Sequence, residues 1–169
     1  VAPDLLCLSK RLTGGSLPLG ATLATREIYD AFLSPERSRM FFHSTSFTGN
    51  AMACAAAVAN LEIWEREPVM ERIAGIAAHH ARAQERFRGH PAVSDLRQMG
   101  TILALDLRLK DAGYLAQVAP ELARFYLSRD ILLRPLGNVV YVLPPYCTTA
   151  AELDRIYDVI EDSFGLIAA

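Results

Sequence analysis

The segment from Ala51 to Trp64 constrains the fold of this 169-residue chain more than any other, because it consists almost only of alanine and other small or apolar residues. Alanine has the highest helix propensity, and Asn50, directly before the segment, is a favoured N-cap residue. The sequence therefore predicts a helix over residues 51–64. A surface helix would carry more charge, so we expect this one to pack inside a large domain.

Short apolar runs alternate with amphipathic stretches along the rest of the chain, which is the pattern of an α/β fold. The first run, Asp4 to Ser9, is continuous and predicts a buried strand of a parallel or mixed sheet. A boundary near Glu67 and Pro68 separates residues 1–67, part of a large α/β layer, from residues 68–169, a self-contained α-β-β-α-β-β-α unit. The predicted strands cover residues 4–9, 20–25, 93–96, 101–107, 131–134 and 139–143. The predicted helices cover residues 26–33, 51–64, 68–88 and 120–128, with a last helix after the capping box Thr149–Glu152.

Composition and charge exclude several classes of function. Apolar residues make up 51% and charged residues 21%, and the net charge of -2 gives no basic field for nucleic acid or an anionic membrane. No apolar stretch approaches the roughly 20 residues that a membrane helix needs. The three cysteines are far apart, which argues against a disulfide framework or a zinc site and fits a reducing cytoplasm. His79 and His80 are adjacent on a predicted helix and point in different directions, so they are poor joint metal ligands, and we expect ordinary helix-surface or helix-edge positions for both.

Lys10 stands directly after the first predicted strand and directly before the loop Thr13 to Ser16, which contains two glycines. Ligands of α/β sheets bind beyond the carboxyl ends of strands. A lysine held there can carry a nucleophilic amine. A surface lysine at the end of a strand is more common, and the residues alone favour that interpretation.

Two further segments carry candidate binding groups. The loop Ser44 to Gly49 is dense in hydroxyls and precedes a helix start, so it could cradle a phosphate, although a capped helix with a polar loop is an equally good interpretation. Arg134 ends an apolar run just before a turn, where it could form a forked pair with a carboxylate; an exposed ion pair is more common. Tyr141 follows the same turn, and half-buried packing is its ordinary role.

The order of these segments resembles that of class-III aminotransferases, which bind pyridoxal phosphate in a fold-type I architecture. Leu-Cys-Leu-Ser-Lys10-Arg-Leu-Thr-Gly-Gly resembles the family's cofactor-lysine segment, and His43 to Ala57 resembles its phosphate loop and Ala-rich helix. Leu133 to Tyr146 resembles the biotin-biosynthesis branch of the family. The resemblance covers essentially the whole chain. It implies the C-terminal part of a fold-type I pyridoxal-phosphate transferase, with the end of the large domain in residues 1–67 and the small α/β domain in residues 68–169.

The resemblance assigns roles to individual residues. Lys10 falls on the lysine that forms the Schiff base with pyridoxal phosphate and then serves as catalytic base and acid. Ser46 falls where the family has a threonine that contacts the cofactor phosphate from the neighbouring subunit, and Thr45 is an adjacent candidate for that contact. Ala51 replaces a proline common in the family, which should alter only the first helical turn. The residues assigned to the substrate are Gly15, Arg134 and Tyr141.

The activity that the resemblance implies is transfer of an amino group from S-adenosylmethionine to 8-amino-7-oxononanoate by a cytoplasmic homodimer, with Arg134 holding the acceptor carboxylate. The family's partner for the pyridine nitrogen, its glycine-rich phosphate segment and its stacking aromatic residue lie upstream of the cofactor lysine. We therefore expect this chain by itself to be inactive. Two alternatives stay open: another class-III aminotransferase acting on ω-amines or amino acids, and a non-catalytic α/β piece in which Lys10 has no function.

Overall fold

The computed structural model describes residues 1–167 and divides into two compact units. The first unit is Val1–Pro68, and the second begins at Val69. Each unit contains helices and an antiparallel sheet of its own. The predicted α/β class is therefore confirmed.

The first unit is organised around a two-stranded antiparallel sheet, with Leu5 opposite Ala24 at one end and Leu8 opposite Ala21 at the other. The predicted Ala-rich helix is confirmed, and Asn50 caps it by accepting a hydrogen bond from the Ala53 N–H at 3.1 Å. The elements of this unit are β1 (Leu5–Leu8), a 3-10 turn (Lys10–Leu12), β2 (Ala21–Ala24), α1 (Arg26–Phe32), a second 3-10 turn (Arg37–Arg39) and α2 (Ala51–Arg66).

The prediction that the first strand is buried in a parallel or mixed sheet is wrong for this chain. Among residues 1–167, β1 pairs only with β2, in antiparallel orientation, and Leu5, Leu6 and Leu8 are 56%, 45% and 36% exposed. A two-stranded sheet has too few neighbours to cover its own faces. The described residues of the first unit also leave α2 largely uncovered, since only Ala53 and Ala57 of this helix are buried. The first unit therefore presents much apolar surface.

The second unit has a closed core between its helices and a three-stranded antiparallel sheet of order β3-β4-β5. Alternate residues of the central strand, Leu103, Leu105 and Leu107, are fully buried. The predicted capping box is present, since Thr149 accepts from the Glu152 N–H and Glu152 accepts from the Thr149 N–H. The elements are α3 (Val69–Phe87), β3 (Val93–Met99), β4 (Ile102–Leu107), α4 (Ala119–Leu127), β5 (Val139–Val142), α5 (Ala150–Asp162) and a closing 3-10 turn (Ser163–Leu166).

The predicted strand over residues 131–134 is wrong. This stretch is not part of the sheet, and pairing with the β5 side begins only at the isolated bridge between Leu136 and Val139. Pro135, which precedes the bridge, has no N–H to donate to a ladder. Leu132 is 88% exposed, so the apolar run that suggested a strand is not uniformly buried.

The expectation that His79 and His80 lie at the surface or the edge of their helix is also wrong, because both are buried on α3. The Nε2–H of His80 donates to the Thr101 carbonyl at 2.9 Å, and its Nδ1 accepts from the Tyr157 hydroxyl. Both ring nitrogens of His80 are thus satisfied in the neutral form, which offsets the cost of burial. Burial lowers the pKa of His80, while the hydrogen bond to Thr101 opposes that shift.

His79 is satisfied in a different way. Its Nε2 donates to Asp154 at 2.7 Å, and its Nδ1 accepts from the Arg82 guanidinium at 2.8 Å. The two partners assign the neutral tautomer to His79 as well. His79 and His80 can therefore both lie inside the second unit, because each imidazole has a hydrogen-bonding partner on α5 and His80 has another in the turn between β3 and β4.

Within residues 1–167, no helix combines the length and the apolar character needed to cross a bilayer.

Candidate active site

Lys10 lies two residues beyond the end of β1 and opens the 3-10 turn Lys10–Leu12. The Leu12 N–H donates to the Ser9 carbonyl at 2.8 Å, and the Gly15 N–H donates to the Lys10 carbonyl at 3.0 Å. The backbone at Lys10 is thus hydrogen-bonded on its C-terminal side, while the strand ladder fixes it through Leu8 on the other.

The loop after Lys10 is braced by its own side chains. Thr13 is buried, and its hydroxyl donates to the Leu17 carbonyl at 2.6 Å. The Ser16 hydroxyl in turn donates to the Thr13 carbonyl at 2.8 Å. Gly14 and Gly15 both have positive φ, 61° and 85°, a conformation that residues with a Cβ rarely adopt. The glycines therefore allow the tight return that keeps Gly15 beside Lys10.

Lys10 and Gly15 line the same cavity, together with residues at the start of α2 and the loop before it. Among the described residues, the Lys10 ammonium has no hydrogen-bonding or ion-pairing partner, so the amine is available to a ligand. The cavity is bordered by Ser9, Lys10, Gly15, Leu17, Pro18, Leu19, Gly20, Phe47, Asn50, Met52 and Ala53.

In the hydroxyl-rich loop, the two candidates for the phosphate contact, Thr45 and Ser46, differ in their hydrogen bonding. The Thr45 N–H donates to the Thr48 hydroxyl at 3.0 Å, the two threonine hydroxyls are 3.2 Å apart, and the Thr48 N–H donates to the Thr45 carbonyl at 3.0 Å. Thr45 is thus occupied in closing the turn. Ser46 lies exposed at the tip of that turn, and neither its hydroxyl nor its N–H has a partner in the described part of the chain. Neither Thr45 nor Ser46 lines the cavity beside Lys10.

Arg134 and Tyr141 both belong to the second unit. Arg134 is exposed just before the turn Pro135 to Asn138, and it has no ion pair within residues 1–167. Tyr141 lies on β5 opposite Ala104 and is half-buried. Its neighbours in the strand, Val140 and Val142, are buried in the core, so Tyr141 faces the other side of the sheet.

The turn that carries Arg134 is held by a buried asparagine that sequence reasoning missed. The Asn138 side chain accepts from the Gly113 N–H at 2.7 Å and donates to the Leu107 carbonyl at 3.0 Å. Gly137, with φ of 59°, packs directly against the Gly113 carbonyl. A turn signal was visible in the sequence, but nothing in the sequence indicated which segment the asparagine would bind.

A second residue missed at the sequence level is Asn60, on α2. Its amide donates to the Arg11 carbonyl at 2.8 Å and to the Leu12 carbonyl at 3.2 Å. The available signal was a lone amide side chain in a helix of small and apolar residues.

For a metal the structure offers no candidate: residues 1–167 contain no group of three or more His, Cys, Asp or Glu side chains able to hold an ion.

Comparison with known proteins gives a consistent family assignment. The family model for class-III aminotransferases matches residues 1–164. Adenosylmethionine-8-amino-7-oxononanoate aminotransferase of Synechococcus elongatus is 44% identical over 163 residues, which cover 96% of this chain and 38% of that protein. The Helicobacter pylori protein of the same name is 40% identical over 160 residues, 92% of this chain and 36% of its own length. The chain thus spans less than two fifths of these relatives.

Solved structures give the same picture. The crystal structure of adenosylmethionine-8-amino-7-oxononanoate aminotransferase from Methanocaldococcus jannaschii superposes with a TM-score of 0.88 at 35% identity, covering 99% of this chain and 40% of that one. An amine transaminase from an uncultivated Pseudomonas species, solved in a form with bound pyridoxal phosphate, superposes with a TM-score of 0.85 at 32% identity, covering 99% of this chain and 39% of that one.

Proposed function

This chain belongs to the class-III aminotransferases, and from that premise we propose that it is the C-terminal part of a pyridoxal-phosphate enzyme that transfers an amino group from S-adenosylmethionine to 8-amino-7-oxononanoate. The observation that carries the proposal is Lys10, whose amine has no partner among residues 1–167 and borders a cavity shared with the start of α2. The relatives named for this reaction are up to 44% identical over nearly the whole chain.

We assign residues 1–67 to the end of the large cofactor-binding domain and residues 68–169 to the small C-terminal domain. The exposed apolar side chains of the first unit support this assignment, because patches of this kind on a soluble protein mark surfaces that another part of the structure covers. The second unit has its own closed core, as expected of a small domain.

The residues present fit part of a pyridoxal-phosphate site. Lys10 supplies a primary amine for the cofactor aldehyde. Gly15, whose backbone is in the left-handed region, has no side chain and so leaves room beside Lys10. Ser46 supplies a hydroxyl and an N–H for the phosphate, neither of which has a partner among the described residues. Pyridoxal phosphate, when bound, supplies an electron sink for the pair left when the substrate Cα–H bond breaks.

The chain's own contribution to catalysis is then proton transfer by Lys10. With the cofactor and substrate bound, the Lys10 amine would take the proton from the substrate Cα as a general base. Its place at the start of the 3-10 turn after β1 holds its backbone in a fixed position, which favours proton transfer at a defined atom.

For the phosphate contact we favour Ser46 over Thr45. The hydroxyl and the N–H of Thr45 are committed to Thr48, so recruiting them would cost the turn its closing hydrogen bonds. Ser46 can act without any rearrangement. Since Ser46 does not line the cavity beside Lys10 of its own chain, we propose that it serves the neighbouring subunit of a homodimer.

For the acceptor we propose that Arg134 binds the carboxylate of 8-amino-7-oxononanoate. A guanidinium without a protein partner is free to form two parallel hydrogen bonds with a carboxylate. Tyr141 and Gly15 are proposed as further groups on the substrate side. The three cysteines are free thiols, which supports a reducing cytoplasm as the location.

The proposal is tested by incubating the full-length protein with pyridoxal phosphate and reducing the mixture with borohydride. The chain offers a matched control, because Lys10 and Lys110 are its only two lysines. A cofactor-sized mass increase on the Lys10 peptide, lost in Lys10→Ala and kept in Lys110→Ala, supports the proposal. Absence of the label from Lys10 contradicts it and favours the non-catalytic alternative.

The amino donor is tested separately on the same full-length protein. We expect transfer from S-adenosylmethionine to 8-amino-7-oxononanoate, with Arg134→Ala raising the KM for the acceptor. The likeness to an amine transaminase makes an ω-amine donor the specific competitor. Transfer from a simple primary amine, with none from S-adenosylmethionine, would reject the biotin-pathway activity while leaving the aminotransferase class intact.

A further inference from the structure

We propose that Asn60 is a positioning residue that fixes the backbone behind Lys10, and thereby sets where the Lys10 amine points. This inference rests on the proposed role of Lys10. Asn60 lies on α2, 50 positions after Lys10 in the sequence, whereas Lys10 opens the 3-10 turn after β1.

The contact is specific to an amide donor. Asn60 Nδ2 donates to the Arg11 carbonyl at 2.8 Å and to the Leu12 carbonyl at 3.2 Å. The end of a helical turn leaves carbonyls without partners inside the turn, and backbone N–H groups in the described part of the chain do not bond to these two. One side chain therefore satisfies both carbonyls, which a hydroxyl-only or carboxylate side chain could not do.

The neighbouring glycine shows how closely the asparagine fits. A Cβ at Gly14 would lie 3.1 Å from Asn60 Oδ1, tighter than ordinary van der Waals contact. Gly14 also has φ of 61°. The loop and α2 thus approach each other here because residue 14 has no side chain and residue 60 has an amide of the right length.

The consequence for Lys10 follows from its two neighbours along the chain. On one side, Leu8 is held in the β1–β2 ladder opposite Ala21. On the other side, Arg11 and Leu12 are held by Asn60. Lys10 therefore lies between two fixed points, and loss of one of them frees the turn to move while β1 stays paired. A displacement on the order of 1 Å at a reacting group lowers a rate by about a hundredfold.

Two substitutions separate loss of the amide from a change of charge. Asn60→Asp keeps the shape but faces two carbonyl oxygens with an acceptor, and Asn60→Leu has a similar size and high helix propensity without a charge. Glu62→Gln on the same exposed helix is the matched control, since Glu62 pairs with Arg66 and not with the turn.

The experiment uses the full-length protein and two readouts. Hydrogen exchange is measured at the amides of Leu12 and Gly15, which are bonded to Ser9 and Lys10. We expect exchange to be faster in both Asn60 variants by a factor on the order of ten, as for two lost hydrogen bonds. Borohydride trapping of pyridoxal phosphate on Lys10 should slow by roughly ten- to a hundredfold in the same variants. Glu62→Gln should leave both unchanged, and thermal melting confirms that each variant is folded.

The outcomes distinguish this inference from the proposed function. Wild-type trapping on Lys10 with unchanged trapping in both Asn60 variants overturns the positioning role and leaves the proposed function standing. Slower trapping in Asn60→Asp alone assigns the effect to charge and also overturns it. If the wild type takes no label, the proposed function fails, and unchanged exchange at Leu12 and Gly15 then overturns the contact itself.

Discussion

Replacing Gly137 by alanine should destabilise the second unit by more than the ordinary cost of an alanine with positive φ. Gly137 has φ of 59° and lies in the turn between Arg134 and β5. A Cβ built on it would overlap the Gly113 carbonyl oxygen and lie 2.8 Å from the Gly113 carbonyl carbon. These neighbours are backbone atoms, so the side chain cannot be accommodated by a change of rotamer. The loop at Gly113 must move.

Two costs add to give the expected magnitude. A residue with a Cβ in the left-handed region costs about 1–2 kcal/mol. Movement of Gly113 breaks the 2.7 Å hydrogen bond from its N–H to the Asn138 side chain. Leaving the buried Asn138 oxygen without a donor costs about 1–3 kcal/mol. We therefore expect Gly137→Ala to lower the free energy of unfolding by about 2–5 kcal/mol.

Gly89→Ala is the matched control. Gly89 follows α3 with φ of 75°, and a Cβ there would meet nothing within 4 Å. It incurs only the conformational cost, about 1–2 kcal/mol. Urea unfolding of the wild-type chain and both variants, followed by circular dichroism, measures the difference directly. Equal destabilisation by the two substitutions would refute the argument, because it would mean that the Gly113 loop yields at no cost and that Asn138 does not depend on it.

Three further predictions rest on individual contacts. Burial lowers the pKa of His80 in the folded state, whereas the unfolded state takes up a proton below about pH 6.5. The free energy of unfolding should therefore be full above that pH and fall as the pH decreases, by up to about 1.4 kcal/mol per pH unit. Urea midpoints between pH 8 and pH 5 measure this pH dependence, and an equal dependence in His80→Gln would contradict the prediction. Thr149→Ala removes the capping hydroxyl and should cost about 1 kcal/mol, and an unchanged melting temperature would show that the box contributes nothing. Ser46→Ala should weaken pyridoxal-phosphate binding to the full-length protein by roughly tenfold, while Thr45→Ala should act mainly through the turn; equal loss in the two would argue against the assignment of Ser46.

Secondary structure was predictable where the pattern of a segment reflects contacts inside the same unit. Buried and more exposed residues alternate along the strand over residues 102–107 because one of its faces meets the helices of its own unit. The start of α5 was predictable from the capping box at Thr149. The prediction that the strand over residues 4–9 is buried was wrong for a related reason. Its continuous apolar pattern anticipates cover on both faces, and the first unit supplies only one neighbouring strand.

His79 and His80 show where residue type misled. Histidine is intermediate in its preference for burial, so two adjacent internal imidazoles could not be expected from residue type alone. Their partners Asp154 and Tyr157 lie more than 70 positions away, and only tertiary structure reveals that the two rings are satisfied. The cost of burying a polar group depends on partners that no local pattern encodes.

The candidate site shows the same division between local and tertiary information. Lys10 at a strand end is an ordinary feature, and the residues around it favoured a surface lysine. What distinguishes it in the structure is the combination of an unpartnered amine, a cavity shared with Gly15 and Phe47, and a turn whose carbonyls are held by Asn60. Each of these depends on α2 lying beside the loop after β1. A small-residue helix permits that approach, and the one amide it carries fixes the turn it approaches. The Ala-rich composition and the position of Lys10 are therefore parts of one arrangement, in which the helix stabilises the segment that presents the amine.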